Sequence, residues 1–118
     1  MHQEGGGGQV RPDVQKFVAA FFDAGKPVGA ICIAPALVAL VLAASGRKAT
    51  LTLGSGVSVA AEMEKLGQTH QAVPSAREIV IDEALKLVTT PAYMFDDARL
   101  SDVWTGIERC CAEVLARI

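Results

Sequence analysis

The chain has 118 residues, of which 51% are hydrophobic and 20% are charged, and its formal net charge at pH 7 is -2. This length fits one domain, and the apolar content is enough for a packed core, so global disorder is excluded. The near-neutral charge, the lack of a basic run and an aromatic content of only 5% argue against nucleic acid as the main partner.

Residues 1–9 contain four consecutive glycines and lack the basic and apolar regions of a secretory signal, so we interpret them as a flexible lead-in. The first predicted helix opens at Pro12 and ends at Gly25. Its apolar residues recur at three- and four-residue spacing. This spacing predicts one buried face, made of Val14, Phe17, Val18, Phe21 and Phe22.

The next segment places one cysteine between a short apolar strand and a helix that opens on a proline. Residues 28–31 have the composition of a strand in the middle of a parallel sheet, and residues 35–44 form a helix that is apolar nearly all round. Cys32 therefore lies at a strand-to-helix turn typical of a nucleophile elbow, where the dipole of the following helix favours the thiolate. The alternative is that Cys32 is a small buried hydrophobe.

The middle of the chain predicts a second strand and a third helix. The strand covers residues 50–53, where β-branched residues alternate along the chain. A glycine-containing turn at 54–56 follows, and the helix after it ends at Gly67.

A hairpin and a final helix complete the predicted elements. Residues 78–82 and 86–90 have the alternation expected of two hairpin arms. Asp96 or Asp97 is positioned to cap the last helix. Apolar residues recur through that helix at helical spacing: Val103, Ile107, Cys110, Val114 and Leu115.

Several chemistry-bearing residues follow directly after predicted strands. The alternation of strands and helices predicts an α/β fold with a mostly parallel sheet and a late β-hairpin. Ligands of such sheets bind beyond the carboxyl ends of the strands, so residues that end strands are expected to share one rim. Besides Cys32, the candidate binding residues on this rim are Ile33, Gly54, Thr89, Thr90 and Pro91.

The cysteines and histidines exclude several kinds of site. Three cysteines and two histidines offer neither a disulfide framework nor the spacing of metal ligands. We therefore expect a cytoplasmic location and no metal, and we interpret Cys110 and Cys111 as structural. The apolar run 28–44 is shorter than a membrane span and is interrupted by Pro35, so we expect no membrane partner.

Few residues are candidates for proton transfer. His70 follows a helix-ending glycine and is a candidate at the border of the site, with an exposed or core histidine as the alternative. Glu62, Glu64 and Glu78 are placed by periodicity on solvated faces. Thr90 is better suited to binding than to proton transfer.

Three segments resemble a known family: Gly-Lys-Pro-Val-Gly at 25–29, Cys-Ile-Ala-Pro at 32–35 and Val-Thr-Thr-Pro-Ala-Tyr-Met at 88–94. Together they resemble the ElbB-like glyoxalase family, which belongs to the PfpI-like, class I glutamine amidotransferase-like superfamily. The likeness begins at about Val10. Residues 10–118 therefore resemble the C-terminal half of the family domain.

The resemblance implies a flavodoxin-like sandwich in which Cys32 attacks an α-oxoaldehyde, such as glyoxal or methylglyoxal, and yields a hydroxy acid without a cofactor. It also implies that this chain does not represent the N-terminal half of the domain. That half carries the first strands, a glutamate that pairs with the cysteine and a glycine-rich oxyanion turn. The amidotransferase branch needs a histidine and a glutamate where this chain has Thr-Thr-Pro-Ala at 89–92, so glutamine hydrolysis is not expected.

Two functions remain open at this point. The first is a cofactor-independent glyoxalase, or a fragment of one, with Cys32 as the nucleophile. The second is a non-catalytic half-domain or pseudoenzyme, whose unsatisfied strand edge makes it a homo-oligomer or the partner of a complementing chain.

Overall fold

The computed structural model describes residues 10–118, and the predicted lead-in at residues 1–9 lies outside the described residues. Helices and strands alternate through the first part of this range, and a hairpin and a long helix follow. In chain order the elements are α1 (Pro12–Asp23), β1 (Val28–Ile31), α2 (Ala34–Ala44), β2 (Thr50–Leu51), α3 (Val57–Lys65), β3 (Thr69–His70), β4 (Val80–Asp82), β5 (Leu87–Thr90), a 3-10 turn (Ala92–Met94) and α4 (Leu100–Ala116). None of the helices in residues 10–118 has the length and apolar character needed to cross a membrane.

The strands form a mixed, three-stranded sheet and a separate parallel pair. The order in the larger sheet is β1-β5-β4, with β1 parallel to β5 and β4 antiparallel to β5. The predicted hairpin is therefore confirmed as β4 and β5. Strands β2 and β3 form the parallel pair. The chain has the predicted α/β architecture, with helices on both faces of the β1-β5-β4 sheet.

The larger core lies on the face of the sheet covered by α1, α2 and α3. Its fully buried side chains include Leu42 of α2, Leu51 of β2 and Leu87 of β5. Helix α2 is apolar on every side, as the sequence predicts, because it lies between α1 and β1. The buried amide of Gln68 connects the end of α3 to the start of β2: its Oε1 accepts a hydrogen bond from Ala49 N–H at 2.7 Å.

Helix α4 covers the other face of the sheet with a smaller core. Val103 of α4 is buried there against Ala76 and Ala92, and Ile31 of β1 packs against the same cluster. Two glycines allow the close approach of α4. A Cβ on Gly106 would lie 2.1 Å from the carbonyl oxygen of Ala76, and a Cβ on Gly29 would lie 3.0 Å from Val114 Cγ2.

The predicted buried face of α1 is only partly buried, and this prediction is wrong for two of its residues. Phe22 is 7% exposed, but Phe17 is 67% and Phe21 is 37% exposed. The prediction that β1 lies in the middle of the sheet is also wrong for residues 10–118, since β1 is an edge strand there. The two errors have one cause, because α1 and β1 both border the open edge of the sheet.

Strands β2 and β3 differ from the sequence prediction because side chains replace part of the backbone ladder. The predicted strand at 50–53 is shorter, since Thr52 N–H donates to Thr89 Oγ1 at 3.1 Å and Leu53 N–H donates to His70 Nε2 at 3.0 Å. Strand β3 was not predicted. It has two residues, which is too few for a periodic pattern.

Helix α4 begins later than predicted. Its N-cap is Arg99, without a capping hydrogen bond from a side chain, so neither Asp96 nor Asp97 is the cap. Two turns precede the helix. One is the 3-10 turn at Ala92–Met94, and in the other Ala98 N–H donates to Phe95 O at 3.1 Å. Both aspartates are exposed in that connection.

Candidate functional site

Cys32 lies at a sharp turn between β1 and α2. Its φ is +65°, in the left-handed region that non-glycine residues rarely adopt. The Cys32 N–H donates to the carbonyl oxygen of Thr90 at 3.0 Å, which extends the β1–β5 pairing by one residue. Helix α2 begins two residues later at Ala34, with Pro35 in its first turn. This is the strand–turn–helix geometry that the sequence predicts.

The surroundings of Cys32 are mostly apolar. The residue is half-buried, and it packs against the small core under α4 together with Phe95 and Ala98. Ile33, the residue after it, is 51% exposed. The Cys32 side chain is therefore at the border between core and solvent rather than sealed in the interior.

The three candidate residues at the end of β5 are buried beside this turn. The Thr89 hydroxyl accepts the hydrogen bond from Thr52 N–H, and the Thr90 hydroxyl donates to the carbonyl oxygen of Glu78 at 2.8 Å. Pro91 is fully buried. Both hydroxyls are thus engaged within the protein and support the rim. A role of these three residues in ligand binding stays a prediction.

Gly54 lies beside the ring of Phe95. Its φ is +115°, and a Cβ on it would lie 3.7 Å from the Phe95 ring. Phe95 and Cys32 both pack against the small core under α4, so the two turns lie beside the same core. Sequence reasoning missed Phe95. Its only signal was an aromatic residue shortly after the end of a predicted rim strand.

His70 is held by the backbone next to Gly54. Its Nε2 accepts the hydrogen bond from Leu53 N–H, so the lone pair of that nitrogen is occupied. Burial lowers the pKa of His70, and the nearby charge of Glu64 acts in the opposite direction to a smaller extent. A neutral imidazole that accepts a backbone hydrogen bond has a structural role here, and a role in proton transfer stays a prediction.

Two of the acidic residues considered in the sequence analysis form ion pairs that do not involve Cys32. The Glu78 carboxylate is 3.5 Å from the Arg109 guanidinium, and Glu62 is 3.5 Å from Lys65. Glu64 is exposed. Over residues 10–118, no group of three or more His, Cys, Asp or Glu side chains is arranged to hold a metal ion.

The other two cysteines have different environments. Cys110 is 1% exposed, and burial raises the pKa of its thiol to about 11. Its Sγ donates to the carbonyl oxygen of Val88 at 3.6 Å, so Cys110 is structural as predicted. Cys111 is exposed on α4, and its interpretation as a structural residue stays a prediction. The helix turns 100° per residue, so adjacent residues do not share a face.

Two grooves lie at the amino end of β1, whereas the Cys32 turn lies at its carboxyl end. One has a volume of about 250 Å³ and lies between α1 and β1, with Phe17 and Gly29 in its lining. The other has a volume of about 480 Å³ and is bordered by Val114 near the end of α4 and by Ile118, which follows the helix. Neither groove is lined by a candidate site residue.

Comparison with known proteins shows the fold class. No protein-family model matches the chain. The human glutamine amidotransferase-like class 1 domain-containing protein 3, mitochondrial, is 34% identical over 116 residues, a match that covers 91% of this chain and 41% of the human protein. The rat ES1 protein homolog, mitochondrial, is 30% identical over 116 residues, and this match also covers 91% of this chain and 41% of the rat protein.

A solved structure gives the same result in three dimensions. It is an isoprenoid biosynthesis protein with an amidotransferase-like domain from Ehrlichia chaffeensis, 28% identical, with a TM-score of 0.80 over 90% of this chain and 47% of that chain. This chain therefore has a class I glutamine amidotransferase-like fold and spans less than half the length of these relatives. The narrower ElbB-like resemblance stays a prediction.

Proposed function

We propose that this chain supplies the nucleophile half of a site that converts an α-oxoaldehyde, such as glyoxal or methylglyoxal, to a 2-hydroxy acid. The observation that carries the proposal is the positive φ of Cys32 between β1 and α2. A strained, half-exposed thiol at the end of a strand is the arrangement of a nucleophile elbow. The amidotransferase-like fold supports it, because ligands of such sheets bind at the carboxyl ends of the strands.

The proposed reaction balances without an oxidant, a metal or a cofactor. The Cys32 thiolate forms a bond to the aldehyde carbon, whose oxygen becomes a hemithioacetal oxyanion. A base takes the proton from that carbon, and the neighbouring carbon receives a proton through an enediol, which leaves a hydroxyacyl thioester. Water then cleaves the carbon–sulfur bond, releases the 2-hydroxy acid and regenerates the thiolate.

The residues around the turn have complementary roles in this proposal. The backbone N–H of Ile33 directly follows the nucleophile and lies before the first helical turn, so it is placed to stabilise the oxyanion. Gly54, Thr90 and Pro91 border the substrate, with Thr89 holding β5 to β2 behind them. The base is assigned to the part of the amidotransferase-like domain that this chain does not span, since His70 Nε2 already accepts a hydrogen bond.

The second candidate function is a non-catalytic half-domain that acts through a partner. The exposure of Phe17 and Phe21 beside an edge strand favours it. For either function the compartment is a proposal. The free cysteines fit the predicted cytoplasm, whereas the two curated relatives are mitochondrial by name.

The chemistry is tested with the chain co-expressed with the part of the human protein that lies outside the match, so that the part assigned the base is present, and incubated with methylglyoxal in the absence of glutathione. We expect lactate to form, and we expect Cys32→Ala to abolish it because the attacking sulfur is lost. The matched control is Cys111→Ala, which removes an exposed cysteine on α4 and should leave the rate unchanged. Equal lactate formation by the Cys32→Ala variant would contradict the assignment.

A second readout follows the addition step alone and does not need turnover. In the Cys111→Ala background, mass spectrometry measures how fast iodoacetamide alkylates Cys32. Methylglyoxal should slow this alkylation, because the hemithioacetal occupies the sulfur. Alkylation at the same rate with and without methylglyoxal would remove the support for an aldehyde substrate.

A further inference from the structure

The imidazole of His70 takes the place of a backbone carbonyl at the end of the β2–β3 pairing. Gln71 N–H donates to the carbonyl oxygen of Leu51 at 2.8 Å. In a regular parallel ladder, Leu53 N–H would next donate to the carbonyl oxygen of Gln71. It donates instead to His70 Nε2 at 3.0 Å. The backbone ladder therefore ends on a side chain that can titrate.

The bond from Leu53 to His70 depends on the protonation state of the ring. A neutral imidazole that accepts through Nε2 carries its proton on Nδ1, whereas a protonated imidazole is a donor at both nitrogens. Protonation would place two donors, Nε2–H and Leu53 N–H, against each other at 3.0 Å. Because Leu53 is 4% exposed, water is a poor replacement for the lost acceptor. A backbone carbonyl at this position would not respond to pH.

The residue after Leu53 belongs to a buried turn, the Gly54 turn, which we define as residues 52–56. The φ of Gly54 is +115°, a value that side-chain-bearing residues rarely adopt. Its carbonyl oxygen accepts a hydrogen bond from Val73 N–H at 3.1 Å. The bond to His70 therefore holds the residue directly before Gly54, and the bond from Val73 reports on Gly54 itself.

The charged groups that face His70 come from α3, which packs against β3. The charge of Glu64 favours the protonated ring, but burial of the ring has the larger and opposite effect and lowers the pKa of His70. Glu62 and Lys65 of the same helix lie 3.5 Å apart as an ion pair. Strand β2 (Thr50–Leu51) pairs with β3 and carries no ionisable side chain. His70 is therefore neutral at pH 7 and takes up a proton below its ordinary pKa of about 6.5.

We propose that neutral His70 is a positioning residue for the Gly54 turn, and that protonation of its ring opens this turn by releasing Leu53 N–H. A Cβ on Gly54 would lie 3.7 Å from the Phe95 ring, and Phe95 packs against the same small core as Cys32. Opening therefore takes a neighbour away from the Phe95 ring beside the candidate site. Its effect on turnover rests on the proposed function, in which Gly54 borders the substrate, and is a loss of activity as the pH falls.

The test is hydrogen exchange of single amides, measured by NMR at several pH values and expressed as protection relative to the intrinsic exchange rate. Protection of the Leu53 and Val73 amides should fall as the pH is lowered from about 6.5, by up to about tenfold per pH unit, until the ring is protonated in the closed turn as well. The amide of Val28 donates to the Lys86 carbonyl at the other end of the β1–β5 ladder and should keep its protection.

Two variants distinguish a titrating residue from a passive contact. His70→Gln keeps an acceptor but does not titrate, so the protection of Leu53 and Val73 should not vary with pH over this range. Glu64→Gln removes the charge that favours the protonated ring. In that variant the titration of the His70 ring and the loss of protection should both move to lower pH. The matched control is Glu108→Gln, an exposed position of α4, which should change neither.

The proposal is overturned if the protection of the Leu53 amide does not change with pH, or if it changes equally in the His70→Gln variant. It is also overturned if Val28 loses protection to the same extent, since the whole chain would then be unfolding. No substrate is present in this measurement. A chain that forms no lactate would contradict the proposed function and would leave the opening of the Gly54 turn unaffected.

Discussion

At the scale of single residues, the rim of the sheet contains unusual backbone conformations. Cys32 and Ala92 both have positive φ, +65° and +46°. Ala92 belongs to the small core under α4, and Cys32 packs against that core. A left-handed conformation costs a non-glycine residue roughly 1–2 kcal/mol. Such strain is typical of functional sites, where the surrounding structure holds a side chain in place.

The strain at Cys32 can be measured by comparing two variants that both lack the thiol. Cys32→Gly should be more stable than Cys32→Ala by about 1 kcal/mol in urea unfolding, because only glycine adopts positive φ without a steric cost. Gly25→Ala is the control for this backbone effect, since φ is +70° there and nothing lies within 4 Å of the added Cβ. An alanine variant as stable as the glycine variant would show that the turn is unstrained.

His70 should make the free energy of unfolding depend on pH. Burial lowers its pKa in the folded state, so the unfolded chain binds the proton more readily. Its contribution is therefore fully present above the unfolded pKa of about 6.5 and is lost as the pH falls through the lower folded pKa.

The measurement is the difference in unfolding free energy between the wild type and His70→Gln at several pH values. Glutamine keeps an oxygen that can accept from Leu53 N–H and does not titrate, so other ionisable groups cancel in the difference. We expect the wild type to lose stability relative to the variant below about pH 6.5. A difference that stays flat with pH would contradict the assignment of His70.

At the scale of secondary-structure elements, α4 depends on a glycine in its middle. Gly106 is buried, and a Cβ there would lie 2.1 Å from the Ala76 carbonyl oxygen and 2.8 Å from Thr90 Oγ1. The helix thus approaches the rim more closely than any side chain would allow. Since Thr90 also accepts the Cys32 N–H through its carbonyl, this contact supports the turn indirectly.

Gly106→Ala should destabilise the protein by about 2 kcal/mol or more, because backbone must move to admit the methyl group. The sign of the change in unfolding free energy tests the prediction, because at an unobstructed helix position the replacement of glycine by alanine stabilises a protein by about 1 kcal/mol. Thermal or urea unfolding gives the value. Glu108→Ala, an exposed position of the same helix, should change stability by no more than about 0.5 kcal/mol.

The elements that the sequence predicted well are those with a long periodic or apolar pattern. Helix α2 and strand β1 were placed within a residue of their bounds, because an unbroken apolar run has few alternatives to burial. Strand β3 was not predicted, and the start of α4 was predicted too early in the chain. Side-chain acceptors such as His70 Nε2 determine where β2 stops, and these contacts link residues distant in the sequence.

At the scale of the whole molecule, two wrong predictions share one physical origin. The periodicity of apolar residues predicted one buried face on α1. The apolar composition of residues 28–31 predicted that β1 lies in the middle of the sheet. The structure leaves Phe17 exposed and β1 at an edge. The sequence predicted the location of the candidate site, at Cys32 and the end of β5. It could not predict that the Phe95 ring lies beside Gly54, because this proximity joins segments that are distant in the sequence.

Asp82 has a consequence for how the chain reaches this structure. One of its carboxylate oxygens accepts from Leu85 N–H at 3.1 Å inside the hairpin turn, and the other accepts from Thr50 N–H of β2 at 2.8 Å. The first contact spans three residues and the second spans 32. Short loops close at a lower entropic cost than long ones, so we expect the contact inside the hairpin to form before the contact with β2. On that expectation, one carboxylate couples the closure of the hairpin to the docking of a strand that is distant in the sequence.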